Sequence, residues 1–428
     1  MKNLAKKLFS ITSSYDKRFK IINILGLEFS FNKLRISNAD KNQYLTYLFN
    51  NQFDKSDFIN ESNDCYNNNS QVKLIAWYLP QFHDFEENRK WFGKGFTEWS
   101  NTSKTLPQFT DHWQPHIPVD VGYYNLETTH VMQRQIELAK KYGIYGFGFY
   151  YYWFSGKKLM EKPIQNFLAD KTLDFPFFFF WANENWTKLW GSGEMEEVLF
   201  KQELLENDDE KFMNDILPYM NDERYIKIDN KPILVIYHTE IYPYERYLRF
   251  INRINEIAKQ NGFNGIYLMT PIRATMDKNN LNKYIEKYKL DALFEFMPMG
   301  CKDLFTRIPK KIMNSNFEGA VFDVADFVRN KKYFYKTDCK KLFKGCFPTW
   351  DNTPRKSLNG ASIFQNSPRS FKIWLKDIII WTKQKYKKNE QFVFINAWNE
   401  WAEGAHLEPD NKFGYAYLDA VKKALEES

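Results

Sequence analysis

Two carboxylates three residues apart, Glu400 and Glu403, stand in the run Trp398-Asn399-Glu400-Trp401-Ala402-Glu403-Gly404. A strand that ends in a helical turn would aim both at one pocket. Aromatic walls lower the local dielectric, and neighbouring carboxylates resist ionising together, so one should hold its proton near neutral pH. An acid beside a base is what glycosidic chemistry requires. The same spacing occurs at helix starts, where the dipole favours acids. The paired tryptophans and the apolar run ahead of them favour the pocket.

Amides, carboxylates and aromatic rings recur where other apolar runs end. In Trp181-Ala182-Asn183-Glu184-Asn185-Trp186, Asn183, Glu184 and Asn185 offer directional contacts to sugar hydroxyls, and Trp186 offers a face on which a sugar ring stacks. The plainer alternative is a capped helix start with buried indoles. Tyr78 and Gln81, then Tyr150, Tyr152 and Trp153, then Glu295, Asp351, Asn399 and Trp401 hold equivalent places and are expected to bind substrate. The stretch from Gly93 to Trp99, with His112 to His116 after it, reads as pocket wall, bringing Glu98, Trp99 and His116 to the substrate. A lone histidine is more often structural, and His116 is retained for its neighbours.

Other chemistries find little footing. No HExxH, HxxxH or DxD pattern occurs, no CxxC joins the four cysteines, and no serine or cysteine nucleophile elbow is present. The glycines at 93 and 95 lack the spacing of a phosphate loop. Neither a metal nor another cofactor is expected.

These residues need elements that bring them to one end. Short apolar runs at 74–80, 144–153, 175–184, 232–238, 266–272, 292–298, 346–352 and 392–401 read as eight strands. Amphipathic stretches at 127–142, 160–169, 209–220, 244–261, 278–288, 370–386 and 413–426 read as the helices between them. The irregular gap 299–345 reads as a decorated loop. Alternation of this kind predicts an α/β fold, a (β/α)8 TIM barrel, in which chemistry gathers at the carboxyl ends of the strands. A dinucleotide-binding sheet would want a glycine-rich turn after the first strand, and Pro80-Gln81-Phe82-His83 is not one.

Composition fits a globular enzyme, with 43% apolar residues and 18% aromatic residues that suit both a core and sugar platforms. The formal charge of +7 is concentrated at the start, where residues 1–35 hold eight cations against two acids. The remainder is nearly neutral, which excludes a general nucleic-acid footprint. We expect a small basic N-terminal extension over 1–59, an Asn-rich linker over 60–71 and a catalytic barrel over 72–428. Leu8, Phe9, Phe19, Ile21, Ile22, Ile24 and Leu25 among those cations suit a membrane-surface patch, a solvated tail or a partner-docking hairpin. No run has the length of a signal peptide or a membrane span, and a cytoplasmic protein is expected, with peripheral contact at the inner membrane face.

The runs WYLPQFH, WFGKGFTEWSN, QPHIPVDVGYYNL, YGFGFYYYWFSGKKLMEKP, FPFFFFWANENWT and FINAWNEWAEGAHLEPD, taken in order, resemble the WbsX family of bacterial proteins over roughly residues 72–425. That family is associated with O-antigen and capsule synthesis and is similar to glycoside hydrolase family 99, whose members are endo-α-mannosidases on (β/α)8 barrels. Asn399-Glu400-Trp401-Ala402-Glu403-Gly404 resembles the family 99 catalytic motif. The resemblance implies that Glu400 is a base on the substrate 2-hydroxyl, giving retention through a 1,2-anhydro sugar, and that Glu403 is the acid/base. It implies a glycan or lipid-linked oligosaccharide as substrate and, for a transferase, a nucleotide-sugar donor. A glycosyltransferase, a retaining hydrolase and a non-catalytic glycan-binding module all remain open at this point.

Overall fold

Eight apolar runs pair in parallel and close on themselves. The computed structural model describes residues 9–13, 19–32, 37–50, 55–67, 72–187, 198–356 and 360–428. The barrel strands are Lys73–Tyr78, Gly146–Phe154, Phe177–Trp181, Lys231–Ile236, Tyr267–Pro271, Ala292–Phe294, Leu342–Cys346 and Phe392–Ile395. Each is hydrogen-bonded to the next, and the last pairs with the first through Phe394↔Ile75 and its neighbours. This is the expected (β/α)8 barrel.

Aromatic side chains fill the interior. Trp77 stacks on Phe394 at 5.1 Å and touches Phe180 and Phe294, while Gly148 on the adjacent strand makes room for the indole: a Cβ there would lie 2.3 Å from it. Helices cover the outside with one apolar face each. Tyr244–Gln260, for example, buries Tyr247, Phe250, Ile251, Ile254, Ile257 and Ala258 at three- and four-residue intervals.

The seventh strand differs from its expected position. It runs over Leu342–Cys346 rather than 346–352, and Lys344 and Gly345, which interrupt the apolar pattern, hide it in the sequence. The lysine is nonetheless buried, its ammonium 2.7 Å from Glu295 on the neighbouring strand. The residues expected as that strand's end, Trp350–Asp351, belong instead to a four-stranded accessory sheet with Thr306–Ile308, Ala320–Asp323 and Ser362–Gln365. The decorated loop thus carries structure of its own.

Ahead of the barrel, Phe9–Ser13, Phe19–Ile24 and Leu27–Asn32 form an antiparallel three-stranded sheet, followed by a helix over Asn38–Asn50. Of the cations noted in this segment, Lys2, Lys6, Lys7, Lys17, Arg18, Lys33 and Arg35 lie outside the described residues, as does Leu8. Of the stretch expected as a linker, residues 60–67 are described: Glu61 pairs with Arg134 at 2.8 Å and Lys141 at 2.6 Å, and the Tyr66 amide donates to the Lys141 carbonyl. Among the described residues no helix is long and apolar enough to cross a membrane.

Candidate active site

Beyond the eighth strand the chain makes a tight hairpin, Asn399–Glu400 pairing with Ala405–His406 around a 3-10 turn at Trp401–Glu403. Gly404 closes it in the left-handed region, φ +57, where a Cβ would press within 2.9 Å of the Asp351 backbone. The turn is anchored on both sides. The Asn399 amide accepts from the Leu79 N–H at 2.7 Å and donates to its carbonyl at 3.0 Å, locking strand eight's exit to strand one's. The Trp401 indole points away from the cavity, stacks on His406 at 3.8 Å and donates to Glu408 at 2.6 Å. So held, Glu400 and Glu403 face one cavity of about 300 Å³ at the carboxyl end of the barrel.

A buried guanidinium joins them. Arg355, on the short helix Thr353–Lys356, reaches Glu400 at 3.0 Å and Glu403 at 2.9 Å, with Glu98 at 3.4 Å on its far side. Burial pushes the Glu400 carboxyl up to about 8, Arg355 pulls against it, and Glu403 and Glu98 add to the rise. Burial raises Glu403 too, again opposed by Arg355. The pair therefore holds one shared proton near neutral pH, the condition for acid and base to coexist.

The remaining walls are aromatic and amide. Tyr150, Tyr152, Trp186, Tyr237, Phe296 and Trp350 line the cavity. Gln81 donates to the Tyr152 hydroxyl at 3.0 Å, and Glu184, which also lines the cavity, meets His238 at 2.9 Å. Asn185 and Asn352 present amides there. Neutral rings with a few polar groups are the make-up of a small-molecule site.

Of the eighteen residues picked out from the sequence, Gln81, Tyr150, Tyr152, Glu184, Asn185, Trp186, Glu400 and Glu403 line this cavity. Glu98 stands behind it on Arg355. The others serve the scaffold. Tyr78 and Trp153 alternate outward to the helices, donating to Gln135 at 2.6 Å and Asp215 at 2.8 Å. Trp99 donates to the Tyr124 carbonyl. His116 stacks on Trp113 and faces His406 at 2.8 Å. Asn183 brackets His238 through its backbone. Glu295 is paired with Lys344, Asp351 meets His112 at 2.6 Å, while Asn399 and Trp401 are the anchors described above. Arg355, Lys356, Tyr237, Phe296 and Trp350 were missed. The one available signal was electrostatic: two buried carboxylates need a cation, and Arg355 lies just past a strand end. Among the described residues no cluster of three or more His, Cys, Asp or Glu is placed to hold a metal ion.

A barrel with paired acids at its eighth strand in an aromatic pocket has the character of a carbohydrate-active enzyme, and the comparisons agree. The family model described as glycosyltransferase WbsX matches residues 74–421, and the chain belongs to that family. It is 38% identical over 360 residues to the uncharacterized protein WxcX of two Xanthomonas campestris pv. campestris strains, covering 82% of this chain and 49% of each relative. The chain thus spans about half the length of the curated relatives it matches. Among solved structures, a glycoside hydrolase-like protein aligns with a TM-score of 0.53 and 14% identity, covering 86% of this chain and 98% of that one. The GH99 endo-α-mannosidase of Bacteroides thetaiotaomicron aligns with a TM-score of 0.49 and 13% identity, covering 83% and 96%. The first of these likenesses speaks to the fold alone.

Proposed function

We propose that this enzyme makes or breaks a glycosidic bond in a bacterial surface polysaccharide, O-antigen or capsule, as a glycosyltransferase acting through Glu400 and Glu403 at the cytoplasmic membrane face. The catalytic unit is the barrel over 72–428. What carries the reading is the pair of buried carboxylates sharing Arg355 at the base of an aromatic-walled cavity.

The roles follow the family 99 motif. Glu400 takes the proton of the donor sugar's 2-hydroxyl as that oxygen attacks C1, and Glu403 gives its proton to the departing glycosidic oxygen. An incoming hydroxyl then attacks C1 and opens the 1,2-anhydro ring, returning a proton to Glu403 while O2 regains one from Glu400. The configuration at C1 is retained. Burial raises both carboxyls, and the reaction needs the shared proton on Glu403 with Glu400 ionised.

The same two steps with water as acceptor are hydrolysis, and charge supports that second reading, a retaining endo-hydrolase. Arg355 is committed to carboxylates, and among the described residues Lys356 is the other cation lining the cavity. One lysine is a thin cradle for the diphosphate of a nucleotide sugar, whereas a glycoside or lipid-linked oligosaccharide donor asks for none within the sugar pocket. Purified protein assayed on nucleotide sugars, lipid-linked glycans and α-mannosides separates the readings. Nucleotide-sugar consumption selects transfer from that donor, and release into water selects hydrolysis. Glycan binding that survives Glu400→Gln and Glu403→Gln, with no turnover on any substrate, would make the barrel a binding module.

A further inference from the structure

The N-terminal sheet sorts its residues by face. Its register sets Phe9 beside Ile24 and Leu27, Ile11 beside Ile22 and Phe29, and Lys20 beside Phe31. Paired residues share a face, so one side of the sheet is apolar with a single lysine at its end. The other side carries Ser10, Thr12, Asn23, Glu28 and Ser30 with Ile21, and hence the one described acid of the sheet. On the apolar side Phe9, Ile11, Ile24, Leu27, Phe29 and Phe31 are 42–65% exposed. An ordinary soluble surface scatters such residues singly, and six together mark a contact face.

We propose that this face docks on an anionic lipid bilayer. Charge chooses the occupant. The first 35 residues hold eight cations against Asp16 and Glu28, and Glu28 lies on the far side of the sheet. Face-to-face pairing with a second copy would bring two such basic segments together, whereas an anionic surface is complementary to them and apolar side chains enter its headgroup boundary. The attachment of the next helix gives the contact a consequence. Tyr44 donates to the Pro107 carbonyl at 2.6 Å and Asp40 pairs with Lys311, so the helix is fastened to loops that follow barrel strands one and six, at the catalytic end. Docking there favours a lipid-linked glycan as substrate. That last step rests on the proposed activity, and the surface itself does not.

The test is co-sedimentation of the full chain with vesicles of phosphatidylcholine alone and with phosphatidylglycerol added. Binding should need the anionic lipid and weaken with salt, with about fivefold lost for each cation removed near the surface, as in Lys20→Gln. Phe29→Ser should lose at least about tenfold, given the contribution of each buried apolar group, and Ser30→Asp on the opposite face should lose little. If Phe29→Ser fails to fold, Lys20→Gln and the salt series still decide. Equal binding to both vesicle types overturns the proposal. So does absence of binding, whether the chain is monomeric or forms a dimer that Phe29→Ser abolishes. Vesicle binding in a protein whose Glu400→Gln variant turns over normally would defeat the glycosidic reading and leave this surface standing.

Discussion

Arg355 sets the chemistry of Glu400 and Glu403 as much as their own spacing does. Three carboxylates share its guanidinium in a buried place, so its charge limits how far burial can raise the pair. Replacing either glutamate with glutamine should cut turnover about a hundred- to ten-thousand-fold while the protein stays folded, measured as initial rate beside circular dichroism. Activity requires one proton on the pair. It should therefore fall as pH rises through about 8, where the pair gives up its shared proton, and fall again in acid when both are protonated. Arg355→Met removes the group that lowers both carboxyls, so the alkaline limb should move to higher pH. Stability should drop about 3–5 kcal/mol through the uncompensated acids, read by denaturant unfolding. At this scale the sequence revealed the acids and half of the walls. Tyr150 and Tyr152 face inward, Tyr151 and Trp153 outward, a period of two visible in the sequence but not applied to it. Arg355 stayed hidden because its partners are 45 or more positions away in sequence.

The hairpin that carries Glu400 and Glu403 is the element on which the geometry depends. Gly404 has a positive φ and backbone of Asp351 against it, so Gly404→Ala should cost about 1–3 kcal/mol and shift the carboxylates, lowering kcat more than it raises KM. Trp401→Phe keeps a ring on His406 but leaves the buried Glu408 without its indole donor, a loss of about 1–3 kcal/mol in stability. Most strands and helices were legible from periodicity to within a few residues at each end, although the sixth and eighth strands end earlier than expected, at Phe294 and Ile395. The seventh strand was not, since Lys344 reads as exposed until Glu295 on the next strand supplies its counter-charge. Pairing between strands some fifty residues apart leaves no local signature.

The whole molecule is a closed barrel carrying an accessory sheet, with a smaller sheet and helix ahead of it. Its stability should respond to acid through a histidine pair behind the Glu400–Glu403 hairpin. Burial holds His406 down to about 3 and His116 well below its ordinary value. A histidine with a depressed value in the folded state binds fewer protons there than in the unfolded chain. Its contribution is present above the unfolded value of 6.5 and is lost as pH falls below it. Melting temperature should thus decline on acidification from pH 7 to 5, and the decline should be shallower in His406→Asn. Class and architecture were readable from alternation over the chain, because a barrel repeats one local unit eight times. The N-terminal sheet was not, because its strands pair with one another away from the repeat, and composition there shows only the charge.

In the proposed reaction Glu400 and Glu403 together form or cleave a glycosidic bond. Mass spectrometry of a lipid-linked surface glycan incubated with wild-type protein, Glu400→Gln and Glu403→Gln tests it most directly. Wild type should give a product changed by whole sugar residues, and either folded variant at least about a hundredfold less of it. Equal product from wild type and both variants would contradict it.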